Sequence, residues 1–105
     1  MARMRRAIVL APEAAADWKA LRAFDRAIVR GAMERHLRHD PTKTSRSRIK
    51  RLKGVQRPQY RLRVEDIRIF YDVTDDAVEV LAIVSKAGAA AWLKQCARMA
   101  PEEEQ

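Results

Sequence analysis

A chain of 105 residues, 48% apolar, with 22 Lys and Arg against 14 Asp and Glu, fits one domain with a modest core. That size leaves little room for a deep enzyme cavity, so a surface cleft is the expected site. The single cysteine, Cys96, excludes an internal disulfide and fits a reducing compartment.

The N-terminus MARMRR is basic, and the apolar run AIVLA that follows stops at Pro12-Glu13. It is too short for a signal segment or a membrane span, and a cytoplasmic protein without membrane contact is expected. Arg6 to Ala11 reads as a first strand. Pro12 suits the first helical position and Glu13 the positive end of a helix dipole. A first helix is predicted from Pro12 to Arg22, with Ala14, Trp18 and Leu21 on one face. Asp25 is the expected N-cap of a second helix. Its apolar face is Ile28, Val29, Ala32, Met33 and Leu37, and Asp40-Pro41 ends it. A linker of two or three residues makes the pair a helical hairpin.

Pro41 to Pro58 shows little period. Ile49, Leu52 and Val55 are spaced by three, which predicts a short helical turn around RIKRLKG, closed by Gly54. After Pro58 the period becomes two. Gln59 to Val64 and Ile67 to Val73 alternate, with turns at Glu65-Asp66 and Thr74-Asp75-Asp76. VEVLAIV, Val78 to Val84, is apolar throughout and reads as a central strand covered on both faces. Lys86 to Arg98 is alanine-rich and helical, with Trp92 and Leu93 as packing residues. From about residue 99 an acidic tail is expected to fray. The order β-α-α-β-β-β-α over residues 1–105 predicts a single α+β domain. In it an antiparallel sheet carries the helical hairpin on one face, strand one pairs with the meander, and the other face is partly open.

The positive charge is concentrated. Nine basic residues lie between Pro41 and Val64 with no Asp or Glu among them, while the rest of the chain carries 13 basic and 14 acidic residues. A dense segment of one sign attracts polyanions; a solvated basic loop is the plain alternative. Alternation along the strands puts Arg61, Arg63 and Arg68 on the face away from the helices, with Phe70 beside them to stack on a base. Two readings stay open here. The arginines hold a phosphate, or Asp72 joins them in a cross-strand salt-bridge ladder.

KRLKGVQRPQYRLRVEDIRIFYDVTDDAVEVLAIVSK, Lys50 to Lys86, resembles the RelE/ParE superfamily of type II toxin–antitoxin toxins. The order of elements carries the resemblance: an LKG turn, YRLRV, a turn, RIFYDV, a paired-acid turn and VEVLAIV. APEAAADWKAL resembles the start of that family's first helix. The resemblance implies a toxin domain blocked by a cognate antitoxin protein. The RelE branch cleaves mRNA on the ribosome without metal or cofactor, and the ParE branch poisons DNA gyrase. YRLRV followed by an arginine looks closer to RelE, so a ribosome-dependent mRNA endoribonuclease is the leading expectation. A gyrase inhibitor, or a member that only binds antitoxin or RNA, is the alternative. Carried over to this chain, the catalytic cations are Arg61, Arg63 and Arg68, with Lys86 nearby, and Lys50, Arg51 and Lys53 contact RNA. The sequence departs from the RelE pattern in having Ala87 after the last strand and no Tyr or His in AGAAAWLKQ.

The remaining candidates read as structural. Tyr60 and Tyr71 fall on the core face, and Trp18 and Trp92 are packing residues. His36 and His39 are expected at the surface, near the end of the second helix, and make a poor metal set. Cys96 lacks a paired histidine, and no glycine-rich phosphate loop is present.

Overall fold

AIVL forms the first strand, β1 (Ala7–Leu10), and Pro12 at the next helix start turns the chain into α1 (Pro12–Ala20). The computed structural model describes residues 5–99. Leu21 and Arg22 link α1 to α2 (Ala23–Leu37), giving the expected helical hairpin. Arg22, not Asp25, holds the N-cap position of α2; Asp25 lies in the first turn, 3.4 Å from Arg22. There a carboxylate serves the helix dipole rather than capping it.

Ile49–Arg51 is a strand, β2, and not the predicted helical turn. Of the three residues spaced by three, only Ile49 is buried. A β-branched residue gains more from a place on the sheet than from an isolated helical turn, which has a costly nucleus. Gly54 has φ +72° and turns the chain, with its left-handed backbone, into β3 (Val55–Arg57). The meander follows as β4 (Tyr60–Val64), β5 (Ile67–Val73) and β6 (Ala77–Ser85), close to the predicted bounds. α3 (Lys86–Cys96) closes the main body, and Arg98–Met99 pairs with β3 as β7. Met99 thus belongs to a strand, while the rest of the expected tail lies outside the described residues.

The main sheet has the order β1-β6-β5-β4-β2. It is antiparallel except for β1, which runs parallel to β6 because the helical hairpin returns the chain between them. Between β5 and β6 the register shifts: Phe70 faces Ala82 and Tyr71 faces Val80, so Leu81 is the extra residue of a bulge. Beyond the end of β1, the Ile83 N–H has no strand to meet, and the Asp17 carboxylate of α1 accepts it at 2.9 Å.

The core lies between the hairpin and one sheet face. Ala14, Val29, Met33 and Leu37 pack against Ile49, Leu62, Ile69, Val78, Val80 and Ile83. Tyr71 is buried there too, stacked on Tyr60 and donating its hydroxyl to the Pro41 carbonyl at 2.6 Å. That bond anchors the start of the 41–48 loop. Among the described residues no helix is long and apolar enough to cross a membrane.

Candidate functional site

Register fixes what lies on the sheet face away from the hairpin. Lys50 is directly opposite Arg61, and Arg61 is directly opposite Phe70. In the next row of that face Arg63 is opposite Arg68. Directly opposed residues sit about 5 Å apart at their Cβ atoms, so the expected cluster of Arg61, Arg63 and Arg68 forms, and Lys50 joins it.

The three arginines differ in environment. Arg63 is exposed and makes no ion pair among the described residues. Arg68 is 8% exposed, and its Nη1 donates to the carbonyls of Glu65 at 2.8 Å and Ile67 at 3.1 Å. It therefore braces the β4–β5 turn, where Glu65 holds φ 53°. Arg61 is half-buried, and its Nε has no hydrogen-bond partner among the described residues. Burial, then Arg68, then Arg63, push its pKa below the usual arginine value. Among the described residues no carboxylate offsets that crowding.

The salt-bridge ladder exists, but one row away and with a different cation. Asp72 lies 3.4 Å from Arg57, whose Nη2 also reaches Glu79 at 3.0 Å. Asp72 also accepts the Gln59 N–H at 2.7 Å. Burial raises the pKa of Asp72, against the opposing pull of the Gln59 N–H and Arg57. Arg57 was visible in the sequence only as one more charge in the basic segment. Its role needed the β3–β7 pair, which two-residue periodicity over so short a stretch does not reveal.

Several expected contacts are placed elsewhere. Phe70 is fully buried and stacked on Trp92 at 4.9 Å with 9° between the rings, so it has no free face for a base. Trp92 is half-buried, and its Nε1–H donates to Glu13 at 2.6 Å, tying α3 to the start of α1. Arg51 points to the other face, 5.1 Å above the Tyr60 ring. Lys53 is exposed in the turn before β3. Lys86 starts α3, and its N–H donates to the Asp66 carbonyl at 2.7 Å, which brings it to the end of the sheet that holds Arg68. His39 is exposed, but His36 is half-buried rather than at the surface, with an unpartnered Nε2. Cys96 is exposed.

The arrangement can hold an anion or an acidic surface at Lys50, Arg61 and Arg63. It offers little for proton transfer. Tyr71 is on the opposite face, bonded to Pro41, and burial followed by Tyr60 raises its pKa.

A family model described as the ParE toxin of type II toxin–antitoxin system, parDE, matches residues 8–89. No curated protein matches the chain. The matched span runs from β1 into the start of α3 and includes every residue of the arginine face, while Trp92 lies beyond it. The family describes a toxin that is paired with a cognate antitoxin protein, and the match covers more than half of the sequence. The chain belongs to the ParE toxin family of type II toxin–antitoxin systems.

Proposed function

We propose that this toxin acts by binding a protein target, DNA gyrase, and not by cutting RNA. The ParE family match supports this reading. The observation that carries it is the neighbour of Arg61. Directly opposite lies Phe70, sealed by Trp92. Metal-free RNA cleavage needs a base for the 2′-OH proton and an acid for the leaving oxygen. Beside Arg61 an apolar stack occupies the ground such a group would use. The carboxylates of that face, Asp72 and Glu79, are engaged by Arg57. An exposed Arg63 and a half-buried Arg61 on the same face as a half-buried tryptophan suit a protein contact, since Arg and Trp are enriched at interface hot spots.

The test pairs two assays on the purified chain. Supercoiling by gyrase is inhibited, and the double variant Arg61→Ala, Arg63→Ala weakens inhibition by roughly tenfold or more. In a translating extract, ribosome-bound mRNA stays intact. Cut mRNA together with unaffected supercoiling would sink the proposal.

A second reading, ribosome-dependent mRNA cleavage, is favoured by the cations Lys50, Arg61 and Arg63 on one face, which make no ion pair among the described residues. In it these residues hold the scissile phosphate beside Arg68 and Lys86, and charge stabilisation carries most of the rate. Activity in neither assay would leave a member that only binds its antitoxin or RNA. Either target places the toxin in the cytoplasm.

A further inference from the structure

A second group of cations lies apart from the arginine face. The loop 43–48 passes the C-terminal end of α2. There Arg35 and His36 of α2 and Lys43, Ser45 and Arg48 of the loop line a hollow of about 260 Å³. It opens on the helix side of the sheet, with edge strand β2 between it and Arg61.

The loop is held independently of any charge partner. Ser45 Oγ accepts the N–H groups of Arg48 at 3.0 Å and Ile49 at 3.3 Å. The Ser45 N–H donates to the Ile49 carbonyl at 2.9 Å, and the Arg63 N–H donates to the Arg48 carbonyl at 2.8 Å. Arg48 is thus fixed at the hollow by backbone. Arg35, Lys43 and Arg48 make no ion pair among the described residues, and Asp40 is the one carboxylate in the lining. His36 also lines the hollow, and its buried Nε2 has no partner among the described residues.

The C-terminal dipole of α2 accounts for basic residues on its own last turn, Arg35 and His36. It gives no reason for Lys43 and Arg48 to converge on the same hollow from a separately anchored loop. Like charges gathered on a fixed frame repel. A phosphate removes that repulsion and accepts from several donors at once.

We propose that the hollow between the end of α2 and the 43–48 loop is a phosphate-binding site, in which Arg35, Lys43 and Arg48 hold the anion beside the His36 ring. The phosphate is either free or part of a nucleic-acid backbone, and the chemistry of recognition is the same. The site does not depend on gyrase being the toxin's target.

Two-dimensional NMR of the purified chain tests this, with inorganic phosphate titrated at constant ionic strength against chloride. The expected result is a saturable shift of the His36 ring signals and of the Ser45 and Arg48 amides. Arg48→Ala and Lys43→Ala each weaken the affinity by roughly tenfold or more, while Arg61→Ala leaves it unchanged. The same spectra show that each variant is folded. A parallel titration with a short single-stranded oligonucleotide identifies the source. Tighter binding with the same residues shifting assigns a nucleic-acid backbone; shifts at His36 with phosphate alone assign free phosphate. The proposal is overturned by no saturable shift at His36, by shifts confined to Lys50, Arg61 and Arg63, or by unchanged affinity in both loop variants.

Discussion

Trp92 lies flat on Phe70, with ring centroids 4.9 Å apart, and its indole N–H is bonded to Glu13. This one side chain joins α3 to the central sheet and to the first turn of α1, and it covers Phe70 on the face where the arginines stand. α3 has no fully buried residue of its own. Its attachment therefore rests largely on Trp92 and the β3–β7 pair, and its start is capped by Ser85, whose Oγ accepts the Gly88 N–H at 3.1 Å.

Removing the indole should loosen α3 selectively. Trp92→Ala loses an aromatic pair worth about 1 kcal/mol and a hydrogen bond to a carboxylate worth about 2 kcal/mol. The expected destabilisation in urea denaturation is about 2–3 kcal/mol. Trp92→Phe keeps the stack and loses only the hydrogen bond, so its loss is smaller. Hydrogen exchange should speed up in α3 and leave β5 and β6 protected.

Arg61 and Arg68 should separate function from folding. Arg68 braces a turn through two carbonyls and is nearly buried. Arg68→Ala is expected to cost about 2 kcal/mol of stability, so any loss of toxicity in that variant reflects folding. Arg61 has a partly desolvated guanidinium whose Nε is without a hydrogen-bond partner among the described residues. Arg61→Met should be neutral or stabilising, by up to about 1 kcal/mol, while weakening toxicity. Thermal denaturation and growth inhibition, measured on the same variants, check both statements. A marked stability loss in Arg61→Met would contradict the reading of Arg61 as a contact residue.

Tyr71→Phe tests the anchor of the 41–48 loop. The variant keeps the ring stack on Tyr60 but leaves the buried Pro41 carbonyl without its donor. A cost of about 1–3 kcal/mol is expected, together with line broadening or shifts in the loop amides. The arginine face, on the other side of the sheet, should keep its spectrum.

His36 gives the chain a pH dependence of defined sign. Burial, then Arg48 and Arg35, lower its pKa below the ordinary histidine value, and Lys43 and Asp40 complete its surroundings. The unfolded chain therefore takes up the proton first. The contribution to stability is present above about pH 6.5 and is lost as pH falls from there through the folded-state value. His36→Gln should flatten the stability profile between pH 7 and 5. A profile identical to that of the unaltered chain would show that His36 has no such role.

The order of β1, the helical hairpin, the β4–β5–β6 meander and α3, most of the core residues and the shared face of Arg61, Arg63 and Arg68 were legible in the sequence. They follow from side-chain period, and a period of two cannot hide which residues of YRLRV and IRIFYDV point the same way. Membership of the RelE/ParE superfamily was legible from the same stretch, but the leaning toward its RelE branch was not, since the family that matches is the ParE toxin. What period could not supply was the partner of each side chain. The pairing of Asp72 with Arg57 rather than with the arginine cluster depends on β3 folding back beside β7. The covering of Phe70 depends on where α3 lands, and its moderate alanine-rich pattern names no docking surface. The strand at Ile49 was missed because three residues cannot declare a period, and only the edge of β4 gave them a reason to extend. The hollow at His36 joins residues of α2 to a loop held in place by Ser45 and Tyr71. Local sequence set the charges in this protein; long-range packing decided which of them are compensated, and so which are left to meet a partner.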